Sequence, residues 1–160
     1  MNKQEIIKSL SLEPHPSEGG YFKRTYTSEI DTICAAGTRK TLSSIYYMLT
    51  NDSPIGYLHK NKSDIIHYFH SGSPITYFII HPDGKLEKQV LGNDVSQGQI
   101  PQLIVKGGCW KASELIEGEY GLLSEAVSPS FEYEDMELAS TESIERKFPA
   151  LPNDMKKFIS

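Results

Sequence analysis

The chain has 160 residues, 38% hydrophobic and 23% charged, with a formal net charge of −5. That length suits one domain (1–160, core about 10–140) that buries a core without covalent staples, and the composition excludes a disordered chain. The acidic balance, with Lys60-Asn61-Lys62 as the densest basic stretch, argues against nucleic acid and anionic membrane as partners.

Asn2 to Leu10 reads as a short helix with Ile6, Ile7 and Leu10 on one face, ended by Pro14 and Pro16. Gly19-Gly20 breaks the chain before a strand over Tyr21 to Thr27. The small, polar stretch Thr32 to Lys40 reads as a loop. From there the signal is β: Leu42 to Thr50, Ile55 to Asn61, Asp64 to His70, and Ile75 to His81 paired with Leu86 to Leu91 around the hairpin signal Pro82-Asp83-Gly84. Gln102 to Val105, Cys109 to Ser113, Gly121 to Val127 and Tyr133 to Leu138 complete the strands. Thr141 to Lys147 reads as a last short helix. The acidic run Glu132 to Glu137 reads as a solvated strand face. Many short strands separated by turns predict an all-β antiparallel sandwich or barrel.

Two cysteines, Cys34 and Cys109, make no disulfide framework and read as reduced thiols of a cytoplasmic protein. The polar start Met1-Asn2-Lys3-Gln4-Glu5 lacks the apolar segment of a signal peptide. No apolar run is long enough to span a bilayer.

Two segments carry most of the chemistry, Gly56 to Gly72 and Gly98 to Trp110. The first resembles the leading motif of the cupin superfamily, with His59 at its first histidine and Gly72 at its closing glycine. Asn61 stands at the second histidine position and Ile65 at the glutamate. The second resembles the trailing motif, with Lys106 at its proline, Gly108 at its glycine and Trp110 near its histidine. The opening His15-Pro16-Ser17-Glu18-Gly19-Gly20-Tyr21, together with Ser63-Asp64, Gly98-Gln99-Ile100-Pro101-Gln102 and Gly108-Cys109-Trp110, is similar to a small cupin-like family of unknown function with a crystallised yeast member.

The resemblance implies a jelly-roll β-barrel with short flanking helices. It also implies that the motif positions face the interior. Alternation along a strand then sends His59 and Asn61 inward, and His67 but not His70 inward as the partner of His59. One surviving histidine, a neutral Asn61 and an apolar Ile65 make a poor metal site, so no metal and no cofactor are expected. A histidine near its ordinary pKa of about 6.5 can move a proton without metal. His59 is therefore the candidate base of a metal-independent small-molecule isomerase or epimerase acting on a sugar-like or other polar metabolite. Tyr47, Tyr57 or Tyr77 would be its acid. The alternative is a ligand-binding or dimeric scaffold protein without chemistry. Asn61, His67, Tyr57, Tyr77, Gln102 and Trp110 are candidate ligand contacts, and Glu18 a local pairing or capping residue. A homodimer formed through Tyr21 to Tyr26 is expected, because exposed sheet edges tend to be covered.

Overall fold

The computed structural model describes residues 1–160 and is mostly antiparallel β. Its strands are β1 (Glu13–Pro14), β2 (Tyr21–Thr27), β3 (Asp31–Cys34), β4 (Gly37–Lys40), β5 (Ser43–Thr50), β6 (Ile55–Asn61), β7 (Asp64–Gly72), β8 (Ile75–Ile80), β9 (Leu86–Leu91), β10 (Gln102–Val105), β11 (Trp110–Glu114), β12 (Tyr120–Ser128) and β13 (Met136–Leu138). Two short helices flank them, α1 (Lys3–Leu10) and α2 (Thr141–Lys147). One sheet runs β1-β2-β5-β12-β7-β10 and faces a second, β13-β6-β11-β8-β9. This is the jelly-roll arrangement expected from the sequence.

Strand alternation sorts the side chains into layers. Between the sheets lie Tyr47, Leu49 and Leu123 from the first and Tyr77, Ile79 and Leu91 from the second, the main apolar core. Helix α1 covers the outer face of the first sheet, where Ile6 and Leu12 pack on Met48 and Leu122. Asn2 starts that helix with a capping box to Glu5, which satisfies backbone donors that a helix start leaves free. The C-terminal segment covers the outer face of the second sheet. There Ile144, Met155 and Phe158 pack on Leu58, Ile80 and Trp110.

Three local expectations are corrected. Residues 32–40 form the hairpin β3–β4 rather than a loop, because the turn at Gly37, whose φ of 108° suits glycine, lets Asp31–Cys34 pair with the residues after it. Tyr133 to Leu138 is not one strand: Tyr133–Asp135 is a 3-10 turn and only Met136–Leu138 pairs, with β6. Nor is the acidic run wholly solvated. Asp135 is buried and holds the Arg39 guanidinium at 2.8 and 3.0 Å, which pulls its carboxyl below the usual carboxylate range.

Candidate functional site

At one end of the barrel the apolar core gives way to polar side chains. A cavity of about 300 Å³ opens there, lined by residues of β2, β5, β6, β7 and β12 and by the 131–133 segment. Its polar wall holds His15, Glu18, His59, Asn61 and Glu125, and its apolar wall includes Phe22, Ile45, Ile65 and Phe131.

The Gly19-Gly20 turn builds the first part of this wall. Both glycines have positive φ, 78° and 69°, and a Cβ on Gly19 would lie 2.2 Å from the Ile55 carbonyl oxygen. The turn is tied down by Tyr47, whose hydroxyl donates to the Gly19 carbonyl at 2.9 Å, and by the Tyr57 N–H, which donates to the Glu18 carbonyl at 2.8 Å. Glu18 is thereby fixed in the barrel mouth. His15 Nδ1 accepts the backbone N–H groups of Ser17 and Glu18 at 3.2 and 2.9 Å, so its proton resides on Nε2, which faces Glu18 Oε2 at 3.4 Å. Burial lowers the His15 pKa, consistent with a neutral ring.

His59 has the opposite tautomer. Its Nδ1–H donates to the Tyr57 carbonyl at 2.7 Å, so its Nε2 is the basic atom. That Nε2 faces Glu18 Oε1 at 3.7 Å. One buried carboxylate thus stands between a ring that can only donate to it and a ring whose free nitrogen can take a proton.

Beneath the cavity is a second cluster, made by register. Glu125 of β12 lies directly between Ile45 of β5 and His67 of β7, all on the inner face. Lys111 of β11 lies beside His59 of β6 on the facing sheet. The Lys111 ammonium crosses the interior and donates to His67 Nε2 at 2.6 Å and to Glu125 Oε1 at 3.2 Å. His67 donates from Nδ1 to the Leu103 carbonyl at 3.1 Å, so it too is a neutral ring. Complete burial and the adjacent Lys111 charge push its pKa down to about 3. Burial alone would raise the Glu125 carboxyl, but Lys111, His67 and His59 together hold it down at about 2.

Of the residues singled out from sequence, His59 and Asn61 line the cavity. His67 is fully inside and His70 is on the outer face, bonded to Ser124. The expected contact of His67 with His59 is corrected: its partners are Lys111, Glu125 and the Leu103 carbonyl. Trp110 does not reach the cavity. It is 2% exposed on the outer face of its sheet, under Phe158 and Met155, with the Lys60 ammonium 4.9 Å above its ring. The inward residue at this end of β11 is its neighbour Lys111. Gln102 is exposed on the edge strand β10, where Leu103 and Val105 take the inward positions. Tyr57 lies outside the cavity because two β6 residues stand opposite Ala112, a bulge that breaks its alternation with His59. Tyr77 is buried in the apolar core, and its hydroxyl beside Ser113 lacks a well-formed hydrogen bond. The tyrosine on the cavity wall is Tyr133.

Sequence reasoning missed Lys111 and Glu125 as site residues and gave Glu18 too small a part. The available signal was a charged residue at an inward-parity position of an otherwise apolar strand, as in Leu123-Ser124-Glu125-Ala126-Val127.

The resemblance of the motif positions to those of cupins raises the question of a metal ion, and these residues do not fit one. His15 Nε2 carries a proton that its Nδ1 contacts prevent from moving across the ring. Ile65 has no donor atom, and Lys111 already places a positive charge between His67 and Glu125. No group of three His, Cys, Asp or Glu side chains has ligating geometry.

A two-sheet antiparallel barrel with its polar pocket at one end defines a cupin. The chain belongs to the family described as Cupin superfamily (DUF985), whose pattern matches residues 4–139. It is 40% identical to an uncharacterised protein of Saccharomyces cerevisiae, across 82% of this chain and 72% of the yeast one. Among solved structures it is similar to a hypothetical protein from Leishmania major, with a TM-score of 0.93 and 27% identity over 99% of each chain. It is also similar to a protein from Shewanella oneidensis, with a TM-score of 0.90 and 32% identity over 100% of this chain and 98% of that one. Oxalate decarboxylase of Bacillus subtilis shares the fold alone, at a TM-score of 0.59 and 16% identity over 92% of this chain and 37% of that one. No helix is long and apolar enough to cross a membrane.

Proposed function

We propose that the chain binds a small polar metabolite in the barrel-mouth cavity and that His59 moves a proton on it, as in an isomerase or epimerase that needs no metal. One observation carries this reading: the His59 Nδ1–H is committed to the Tyr57 carbonyl, so the basic Nε2 faces the cavity beside Glu18. A base must lie within hydrogen-bond reach of the proton it takes, and for a histidine the bond made by one ring nitrogen fixes which nitrogen is basic. Glu18 stabilises the imidazolium that forms. Tyr133, which also lines the cavity, replaces Tyr47, Tyr57 and Tyr77 as the candidate acid. Phe22 and Phe131 supply an apolar surface for a ring or carbon skeleton, and Asn61 a neutral hydrogen-bonding edge.

The second reading is a ligand-binding protein without chemistry. The Lys111–His67–Glu125 cluster favours it, because both ring nitrogens of His67 are engaged and the Lys111 ammonium holds Glu125 Oε1. A thermal-shift screen of sugar-like and other polar metabolites, repeated on His59→Gln and Glu18→Gln, decides between them. Proton transfer requires exchange of a substrate C–H proton with deuterated solvent that His59→Gln abolishes. Binding without exchange leaves the second reading. A metabolite whose binding is unchanged in both variants excludes this cavity from either role.

We further infer that two copies pair across the open edge of β2. Lys23 to Thr27 are exposed and pair in the sheet only with β5, and Tyr26, Ile30 and Ile33 present apolar surface beside that edge, Ile33 being 88% exposed. Light scattering on the eluted protein should give twice the chain mass, and Ile33→Asp with Tyr26→Asp should give monomer. A wild-type monomer at every concentration refutes the pairing.

A further inference from the structure

A third cluster of titratable groups lies away from the cavity, where the β8–β9 hairpin meets the turn leading into β11. It consists of Cys109, His81 and Glu87, none of which lines the cavity. Glu87 Oε2 accepts from His81 Nε2 at 2.7 Å, and Glu87 Oε1 accepts from Gln89 Nε2 at 2.8 Å. Those two bonds hold the Glu87 carboxyl below the usual carboxylate range, so it is the acceptor and His81 Nε2 carries the ring proton. The lone pair of His81 Nδ1 then faces the Cys109 sulfur at 3.7 Å, in position to accept its S–H.

Thiol, imidazole and carboxylate therefore form a chain in which each group orients the next, the arrangement of a nucleophile with a general base and a residue that steadies the base. The thiol and the carboxylate are on opposite ring nitrogens, so a single metal ion cannot collect all three. The backbone supports the same geometry. The tight turn closed by Gly84 N–H on the His81 carbonyl, at 2.8 Å, fixes the imidazole, and the Cys109 N–H bonded to the Lys106 carbonyl, at 3.2 Å, fixes the thiol.

We propose that Cys109 is a base-assisted thiol, a modification site that reacts with small hydroperoxides. Its sulfur attacks one peroxide oxygen. The S–O bond forms as the O–O bond breaks, and the S–H proton passes to His81 Nδ1 and on to the departing oxygen. The products are a sulfenic acid and water or an alcohol, so sulfur loses the two electrons that the peroxide gains. Burial keeps the free thiol protonated by raising its pKa, so the reaction depends on His81 taking the proton during attack. The buried sulfur restricts attack to small reagents, while His81 and Glu87 are about one-third exposed and exchange protons with solvent. The other cysteine, Cys34, donates to the Gly37 carbonyl and has no hydrogen bond to a histidine, which makes it an internal control for the general-base step.

The test treats the intact chain with hydrogen peroxide, traps sulfenic acid with dimedone and counts the adduct at each cysteine by peptide mass spectrometry. Cys109 should be trapped faster than Cys34. Its rate should fall by about a hundredfold in His81→Asn, the low end of what a general base contributes, and by less in Glu87→Gln, with Cys34 unchanged in both. Labelling confined to Cys34, or a Cys109 rate untouched by both substitutions, overturns the proposal. Glu87→Gln keeps a side chain of the same shape, so its result stands even where His81→Asn loosens the hairpin.

Discussion

The Lys111 ammonium lies 2.6 Å from His67 Nε2, with the Glu125 carboxylate as its second partner at 3.2 Å, deep between the two sheets. Buried pairs of this kind add little over an apolar replacement of the whole cluster, but removing one partner leaves a charge with nothing to offset it. Lys111→Met should therefore destabilise the chain by about 3–5 kcal/mol. The double variant Lys111→Met with Glu125→Gln should recover a large part of that loss, because the stranded carboxylate is gone. Urea unfolding of the two variants against the unsubstituted chain measures both.

Acid should weaken the fold in two stages, to each of which this cluster contributes, with His15 adding to the first and Asp135 and Glu87 to the second. His67 titrates at about 3 in the folded chain, against about 6.5 when unfolded. As the pH falls below about 6.5 the unfolded chain takes up a proton that the folded one refuses, so the stability tied to His67 is complete above that pH and drains toward about 3. Glu125, at about 2 folded, adds its own loss only below the ordinary carboxylate value of about 4.3. The melting temperature should fall between about pH 7 and about pH 5, and His67→Gln should flatten that slope. An equally steep slope in His67→Gln would show that another group carries it.

The Gly19-Gly20 turn should tolerate no side chain. In Gly19→Ala the new Cβ meets the Ile55 carbonyl oxygen and the residue must hold a positive φ. The strain alone is worth about 1–3 kcal/mol, and relieving it displaces Glu18 from His59. Denaturant midpoint and metabolite affinity should fall together in this variant.

Phe158 should be structural and remote from the site. It packs against Phe78 with ring centroids 5.0 Å apart and helps bury Trp110. Phe158→Ala should cost about 3–5 kcal/mol and leave metabolite affinity in the folded fraction unchanged. A specific loss of affinity would mean that Trp110 communicates with the cavity.

Much of the fold was legible in the sequence because it is written locally. Period-2 alternation, turn residues and the hairpin signal at Pro82-Asp83-Gly84 located most strands, and strand parity put His59 and His67 inside and His70 outside. The paired glycines at 19 and 20 marked a backbone that only glycine adopts. The β3–β4 hairpin escaped because its strands are short, polar and exposed, with no buried face to impose alternation. Tyr57 escaped because a single bulge opposite Ala112 cancels the parity rule, and a bulge is set by the neighbouring strand.

The site itself was decided by tertiary structure. A lysine or glutamate within a strand reads as solvated until its partner is known, and the partners here come from different sheets: Lys111 from one, His67 and Glu125 from the other. The same holds for Trp110. The sequence placed it near a motif position, but the face it occupies depends on which residue of β11 points inward, and the C-terminal segment that covers it lies beyond the matched motifs. Local pattern determined which residues form strands and which way most of them face. Only the stacking of the two sheets determined which charges meet, and so left His59 facing the cavity with one free nitrogen.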